Sequence, residues 1–308
     1  MPARKAQQKH PRAATVTDGL VVVDKPSGMT SHDVVARCRR IFAQRKVGHA
    51  GTLDPDATGI LVVALGRATR LMRYMSGLEK SYTTEIVLGE ATSTLDSSGE
   101  LTATWDMSAV SLDDAVHAAT SLTGPILQVP PMVSAIKVGG RRLYELARQG
   151  VEVERAPRPV NVERFDVSVA GAGQHGPVLQ AQITCSSGTY VRSLAEDLGR
   201  RLGGGAHVRN LRRQSVGPWH LTDSATLDAV GDASVIPLVD CLPWLEAVAV
   251  SGDVERKVSY GRNLTAQELS ARRPGPWRLV SARGSLLAVY ASDGSGGARA
   301  EVVIEAAG

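Results

Sequence analysis

The 308-residue sequence has few cysteines and no long apolar run. The cysteines, Cys38, Cys185 and Cys241, lie far apart and form no C-x-x-C pair. This spacing argues against a disulfide framework and against a metal site built from thiolates. No apolar stretch approaches the length of a membrane span, and the N-terminal segment lacks the apolar stretch of a signal peptide. We therefore expect a cytoplasmic protein that does not associate with membranes.

The composition is that of a globular protein with a modest positive charge. Hydrophobic residues make up 43% of the chain, enough for a sizeable core. The net charge of +4 permits a polyanionic partner without requiring one. Residues 1–18 are predicted to form a disordered basic tail, and its basic residues are Arg4, Lys5, Lys9 and Arg12.

The order of predicted strands and helices indicates the fold class. Ser31 is expected to cap a helix that follows a first strand at 19–26. The other predicted strands are 60–65, 81–88, 160–169, 178–185 and 206–216, and the other predicted helices are 111–122 and 189–202. Strands and helices alternate irregularly, which predicts an α+β fold with a mixed, largely antiparallel central sheet flanked by helices.

Two changes in composition suggest how the chain is divided. Short apolar segments separated by glycine and proline begin near residue 236 and predict a small β-rich domain over 236–308. Pro130 and Pro131 interrupt the preceding region before a basic stretch. We therefore expect a catalytic domain over 19–235 with an insertion, here called the flap, at about 128–155.

Residues 48–59 read G-H-A-G-T-L-D-P-D-A-T-G and place Asp54 in a glycine-punctuated loop. Pro55 restricts Asp54 to an extended backbone, and the short apolar run at 60–65 predicts a buried strand directly after the loop. A loop held between such constraints can position one side chain accurately. The pattern predicts that Asp54 is a nucleophile.

Two other interpretations of Asp54 are open. Residues 54–58 fit D-x-D-x-T, the aspartyl-phosphate signature of haloacid-dehalogenase-type phosphatases. In those enzymes the motif ends an apolar strand, whereas here the strand follows, and no later acidic pair has magnesium-binding spacing. Alternatively, Asp54 caps its own loop in an Asx-type turn and has no chemical role.

Six ordered segments resemble the TruB family of tRNA pseudouridine synthases, and the resemblance covers roughly residues 19–216. The segments are 23–33, 48–59, 80–82, 128–137, 185–194 and 204–213. The resemblance implies a pseudouridine synthase fold and conversion of uridine 55 in the T loop of tRNA to pseudouridine. It also implies base flipping of that uridine, a mobile flap over the T stem-loop, a PUA-like RNA-binding domain at 236–308 and a monomer.

The resemblance also assigns roles to individual residues. Asp54 matches the family's nucleophile and Arg192 its arginine partner, while Tyr82 matches the tyrosine that stacks on the base and can transfer a proton. An adjacent guanidinium would favour the charged carboxylate and fix its orientation. Whether the carboxylate attacks the ribose, attacks the uracil or assists a glycal route stays open. No metal or organic cofactor is implied.

The remaining matches lie around this centre. His49 matches the histidine that fills the space left by the flipped uridine, and Tyr190 and Leu211 match residues around the uracil. Lys25 matches a lysine that supports the catalytic loop, and Asp96 an acidic residue near the site. Phosphate contacts are predicted at Lys137, Arg141, Arg142, Arg148, Arg209, Arg212 and Arg213. The alternative from another class is a non-catalytic RNA-binding protein or tRNA-folding factor that uses the same basic surface.

Overall fold

In the computed structural model of the protein, the described residues are 16–134, 136–147, 149–151 and 153–305. They form a central mixed sheet with helices packed on it and a smaller C-terminal sheet. None of the described helices has the length and apolar character needed to cross a bilayer. Most of the predicted basic tail, residues 1–15, lies outside the described residues.

The secondary structure follows the predicted order, with several additional short strands. The strands are β1 (Gly19–Lys25), β2 (Val47–Ala50), β3 (Thr58–Leu65), β4 (Lys80–Leu88), β5 (Glu90–Thr92), β6 (Leu101–Thr104), β7 (Gly124–Gln128), β8 (Lys137–Val138), β9 (Arg141–Arg142), β10 (Arg158–Ala172), β11 (Pro177–Cys185), β12 (Ala206–Val216), β13 (Trp219–His220), β14 (Ala225–Thr226), β15 (Ile236–Pro237), β16 (Glu246–Val250), β17 (Trp277–Ser281), β18 (Leu286–Ser292) and β19 (Ala298–Val303). The helices are α1 (Ser31–Ile41), α2 (Met72–Ser76), α3 (Leu112–Thr120), α4 (Leu143–Ala147), α5 (Val191–Arg201), α6 (Gly252–Ser259) and α7 (Ala266–Leu269).

The central sheet runs in the order β14-β1-β3-β12-β4-β11-β10-β7, and β2 forms a hairpin with β3. The pairs β1–β14 and β3–β12 are parallel. The pairs β1–β3, β4–β12, β4–β11, β10–β11 and β7–β10 are antiparallel. The predicted α+β fold with a mixed, largely antiparallel sheet is therefore confirmed.

The N-cap of helix α1 lies one residue before the predicted position. Thr30 is the N-cap, since its hydroxyl accepts a hydrogen bond from the Asp33 backbone while the Asp33 carboxylate accepts one from the Thr30 backbone. Ser31 was expected to be the cap, but it is buried and bonded to a different segment of the chain. The reciprocal capping box satisfies two N–H groups, which explains why the cap lies at Thr30.

The C-terminal sheet has the order β16-β17-β18-β19 and packs against the central sheet. Leu286 and Val289 from β18 belong to the same buried cluster as Leu20 and Ile60 from the central sheet. Strand β15 also pairs with β1 of the central sheet. The C-terminal sheet also has a buried cluster of its own, which includes Leu279 and Tyr290. The division at residue 236 stays a prediction.

The N-terminal boundary differs slightly from the expected one. Thr17 exchanges hydrogen bonds with the Gln44 side chain, and the Asp18 carboxylate accepts bonds from the backbone and side chain of Arg67. Ordered structure thus begins before residue 19, and the predicted tail of 1–18 is too long at its C-terminal end.

Gly59, at the start of β3, lets two strands approach closely. It pairs with Arg213 of β12, its φ is +99°, and a Cβ there would lie 2.2 Å from the Arg213 carbonyl oxygen. A side chain is therefore excluded by both conformation and contact.

We predict that Gly59→Ala lowers the free energy of unfolding by about 3 kcal/mol, because strain and a backbone clash act together. Gly77→Ala is the matched control, since a Cβ at Gly77 meets nothing within 4 Å and its φ is −78°. Urea unfolding measured for both variants checks this. Equal stability of the two variants would contradict the close approach of β3 and β12.

Candidate active site

Asp54 and Arg192 form a bidentate ion pair at the mouth of a pocket. Arg192 Nη2 lies 3.0 Å from Asp54 Oδ1, and Nε lies 2.9 Å from Oδ2. Arg192 is only 3% exposed, whereas the Asp54 side chain is 37% exposed. The guanidinium is therefore a fixed partner that orients an accessible carboxylate.

Arg192 is itself held in place from several sides. It donates to the carbonyl oxygens of Thr94 and Val133, each at 2.8 Å. Asp96 lies on its far side, with Oδ2 3.6 Å from Nη1. One arginine thus contacts two carboxylates and two backbone carbonyls, which fixes the direction of the bonds to Asp54.

The residues on either side of Asp54 are held by side chains from β1 and from the first turn of α1. Ser31 exchanges hydrogen bonds with the backbone N–H and C=O of Leu53, at 2.9 and 3.1 Å. The Lys25 ammonium, fully buried, donates to the Pro55 carbonyl at 2.8 Å and to two carbonyls of its own segment. Lys25 therefore lies where the resemblance predicts support of the loop.

Burial strongly affects the charged groups of this loop. Burial lowers the pKa of Lys25 to about 8, although the carboxylates of Asp56 and Asp54 act in the opposite direction. Burial raises the pKa of Asp54, while the adjacent Arg192 guanidinium opposes the rise and Asp96 adds to it. Asp54 is consequently more basic than a free aspartate and still paired with a cation that favours its ionised form.

A pocket of about 270 Å³ opens beside Asp54. Of the predicted site residues, it brings together Asp54, Tyr82, Tyr190, Arg192 and Leu211. Tyr82 is 8% exposed on β4, and burial raises its pKa. The phenol is therefore protonated at neutral pH, and its ring forms part of the wall.

Leu211 reaches the pocket because β12 contains a bulge. Arg209 pairs with Glu85 and Arg212 with Thr83, so that two residues of β12 lie opposite the single residue Thr84. Asn210 has a φ of +54°, a conformation that asparagine tolerates better than most residues. Bulges near active sites redirect side chains, and this one turns Leu211 to the pocket.

The flap is joined to the first turn of α5. The Gln128 amide accepts from the Tyr190 N–H at 2.7 Å and donates to the Tyr190 carbonyl at 3.1 Å. Ser193 donates to the Val129 carbonyl. The start of the flap therefore helps to orient the helix that carries Arg192.

His49 lies on β2, outside the residues that line the pocket. Its ring stands edge-on to that of His32, with centroids 5.4 Å apart. Burial, with a further contribution from His32, lowers the pKa of His49 to about 4, so that it is neutral at neutral pH. Nδ1 of His49 has no hydrogen-bond partner within the described residues.

The predicted phosphate contacts lie in different settings. Arg209 is exposed and paired with Glu85, and Arg141 is exposed and donates to Gln149 on the flap. Lys137 and Arg142 lie on β8 and β9, but their side chains, like all of Arg148, lie outside the described part of the structure.

Two arginines in β12 do not offer free surface charges. Arg212 forms a bidentate pair with Asp24, at 3.1 and 2.8 Å. The phosphate contact predicted at Arg213 is wrong, because its side chain is 1% exposed and donates to carbonyls of the Asp54 loop and of β3. The bulge that precedes these residues explains why their sides of the strand could not be assigned from the sequence.

Sequence reasoning gave no role to three residues that build the site. Ser31 was interpreted only as a cap, Gln128 only as part of a motif, and Lys80 only as a neighbour of Tyr82. Lys80 and Tyr82 lie on the same face of β4, since strand side chains alternate, and both line the pocket. That alternation was the available signal for Lys80.

The phosphatase interpretation finds no support around Asp54. Strand β3 follows the loop, as the sequence indicated, and Asp56 is exposed. Among the described residues, no group of three or more His, Cys, Asp or Glu side chains is arranged to hold a metal ion.

Known proteins share both the sequence and the fold. Sequence models of the TruB family pseudouridylate synthase (N terminal domain) and of the tRNA pseudouridylate synthase B C-terminal domain match residues 39–191 and 192–237. The tRNA pseudouridine synthase B of Symbiobacterium thermophilum is 49% identical over 251 residues, 81% of this chain and 84% of the relative. The chain belongs to the TruB family. The enzyme of the same name from Mycobacteroides abscessus is 46% identical over 280 residues, 89% of each chain.

The fold agrees with this membership in the TruB family. A chain in the crystal structure of a Cbf5-Nop10-Gar1 complex superposes with a TM-score of 0.69 and 25% identity, covering 94% of this chain and 85% of that chain. Residues 192–237, matched by the C-terminal family model, contain strand β12 of the central sheet and nearly all of helix α5. That segment is therefore part of the same sheet as the segment that carries Asp54.

We predict opposite shifts in the pKa of Asp54 from two neutralising substitutions. Arg192→Gln removes the opposing cation and raises the pKa, whereas Asp96→Asn removes a like charge and lowers it. The carboxyl ¹³C shift of Asp54, assigned with Asp54→Asn and followed against pH, checks both.

Arg37→Gln provides the control for these shifts. Its partner Asp228 has a side chain that is 94% exposed, far from the enclosed pair. The Asp54 pKa should stay unchanged in this variant. Shifts of the same sign in the Arg192 and Asp96 variants would contradict the charge arrangement.

Proposed function

We propose that this protein is a tRNA pseudouridine synthase that isomerises uridine 55 in the T loop, with Asp54 as the nucleophile. The observation that carries the proposal is the bidentate pair between an accessible Asp54 and a buried Arg192 beside Tyr82. Family membership supports the reaction, and the names of the relatives support tRNA as the substrate.

The chemistry follows from a paired and enclosed carboxylate. Isomerisation requires the bond between uracil N1 and ribose C1′ to break and a bond from C5 to C1′ to form, with loss of the C5 proton. Arg192 orients the Asp54 carboxylate and favours its ionised form, the form that attacks. The Tyr82 ring provides a wall on which a base can stack and turn, since stacking tolerates different orientations.

The uridine must leave the RNA stack to reach this pocket. His49, neutral and at the edge of the site, is suited to fill the vacated space because a neutral ring can stack between bases. Arg209 and Arg141 are exposed cations that can contact phosphates. Lys137 lies on the flap, as Arg141 does. We extend the proposal to the T stem-loop as the bound element and to flipping of the base.

The proposal has three further parts, which concern the C-terminal sheet, the flap and the absence of a cofactor. The C-terminal sheet would act as a PUA-like RNA-binding module, with the whole chain acting as a monomer in the cytoplasm. The flap would cover the bound T stem-loop, since its root already contacts Arg192 through the Val133 carbonyl. Asp54 and its protein neighbours would act without a cofactor.

Tritium release tests the reaction. With tRNA labelled at uracil C5, we expect wild type to release tritium and Asp54→Asn to be slower by about 10⁴-fold or more, because an amide is a poor nucleophile. Carbodiimide mapping would locate the product, and tRNA with cytidine at position 55 is the substrate control.

Binding measurements separate catalysis from binding. Asp54→Asn should retain tRNA binding in a filter assay. Absence of tritium release by wild type would reject the enzymatic proposal and leave an RNA-binding or RNA-folding protein. Normal turnover by Asp54→Asn would reject Asp54 as the nucleophile.

We predict that the ring and the hydroxyl of Tyr82 make separable contributions. Tyr82→Phe keeps the stacking surface and loses the proton, so kcat should fall by about 100-fold with little change in KM. Tyr82→Leu loses both and should also raise KM. Steady-state tritium release with the two variants checks this, and equal kcat for wild type and Tyr82→Phe would remove the proton-transfer role.

A further inference from the structure

We propose that Arg213 is a positioning residue that spans the Asp54 loop and directs its charge at the Tyr82 hydroxyl. The inference rests on the proposed function, in which Asp54 and Tyr82 carry the chemistry. Arg213 comes from β12, a different segment of the chain from either of them.

Arg213 is a buried cation with an unusual set of partners. Within the described residues its hydrogen bonds go to backbone carbonyl oxygens, and none goes to a carboxylate. A buried guanidinium without an ion-pair partner is costly, because desolvation is not offset by an opposite charge. A hydrophobic side chain would fill the position at lower cost, so this arginine calls for an explanation beyond packing.

The guanidinium joins the two ends of the catalytic loop. Nε donates to the Ile60 carbonyl at 2.6 Å, after Asp54, while Nη2 donates to Gly51 at 3.1 Å and Nη1 to Thr52 at 3.4 Å, before it. Arginine presents its N–H groups in a rigid planar fork. One rigid group therefore fixes the distance between the two ends of the loop that carries Asp54.

The same side chain acts on Tyr82. Arg213 and Tyr82 are cross-strand neighbours of β12 and β4, and both are buried. Both residues also line the pocket beside Asp54. The Arg213 guanidinium is therefore placed where its charge can act on the Tyr82 hydroxyl.

Among the charged groups around Tyr82, Arg213 is the one that lowers the pKa of the phenol. Burial raises the pKa of Tyr82, and Cys185 of β11 and Asp54 of the loop also raise it, whereas Arg213 lowers it. Lys80, on the same face of β4, lies near Arg213, since its Cε and Arg213 Nη1 lie 3.4 and 3.7 Å from the Cβ position at Gly51. Arg213 thus opposes the effect of burial on the phenol.

Two substitutions separate the effect of the Arg213 charge from that of its hydrogen bonds across the Asp54 loop, here called the bridge. Arg213→Met removes both, and Arg213→Lys keeps a cation that cannot contact Ile60, Gly51 and Thr52 together. The matched control is Arg67→Met, since Arg67 also joins distant segments of the chain, through Asp18 and Glu305, but lies outside the residues that line the pocket. The readouts are kcat and KM for tRNA, the melting temperature, and the Tyr82 phenol pKa from ¹³Cζ-tyrosine NMR, assigned with Tyr82→Phe.

We expect Arg213→Met to raise the Tyr82 pKa, because an adjacent cation is lost. Its kcat should fall by about 100-fold, with a much smaller change in KM, because the loop and the hydroxyl lose their alignment. Arg213→Lys should keep the Tyr82 pKa close to that of wild type while kcat still falls. Arg67→Met should lower the melting temperature and leave kcat and the Tyr82 pKa unchanged.

An unchanged Tyr82 pKa in Arg213→Met overturns the action on the phenol, and a normal kcat in Arg213→Lys overturns the bridge. If Arg213→Met does not fold, the kcat of Arg213→Lys decides. Its melting curve, compared with that of wild type, shows that this variant is folded. Failure of the proposed function is distinguishable, since wild type would then release no tritium while the Tyr82 pKa can still be measured.

Discussion

The ion pair between Asp54 and Arg192 joins residues that are 138 positions apart in the sequence. It forms because β3, which follows the Asp54 loop, lies two strands from β4, and β4 pairs with β11, which leads into α5. A register shift in any of these pairs would turn side chains to the other face or move them along the strand. The geometry of one pair therefore depends on the register of four strands.

The loop around Asp54 is held by buried cations bonded to its backbone carbonyls. Lys25 binds the Pro55 carbonyl, and Arg213 binds those of Gly51 and Thr52. Burying an ammonium or guanidinium is unfavourable, as the lowered pKa of Lys25 shows, so these residues do not simply maximise stability. What they provide is a backbone with few alternative conformations, which an accurately positioned carboxylate requires.

The sequence sufficed to predict the parts of the site that depend on local chemistry. Glycines and Pro55 indicated a stiff loop, and the apolar run after it indicated β3; the structure has both. The pairing of Asp54 with Arg192 was available only through the family resemblance, because no local pattern connects two segments so far apart. Tertiary contacts of that kind are not encoded in periodicity.

The errors have equally specific causes. Ser31 and Thr30 are both good caps, and only the contact of Ser31 with Leu53 decides between them. Arg213 was predicted to contact phosphate only because it is basic, and the bulge at Asn210 and Leu211 hides from the sequence which side of β12 it faces. The shared core of the two sheets was also out of reach, since Leu286 and Ile60 belong to unrelated apolar runs.

The reactivity of Asp54 follows from opposing influences on one carboxylate. Burial and Asp96 raise its pKa, while Arg192 and Lys25 lower it. A carboxylate stabilised only by cations would be weakly basic and a poor nucleophile, whereas one that is only buried would be protonated and unreactive. Asp96 contacts the same guanidinium as Asp54, so it limits how far Arg192 can stabilise the charge of its partner. Sharing one arginine between two carboxylates therefore leaves Asp54 paired with a cation while its pKa is still raised.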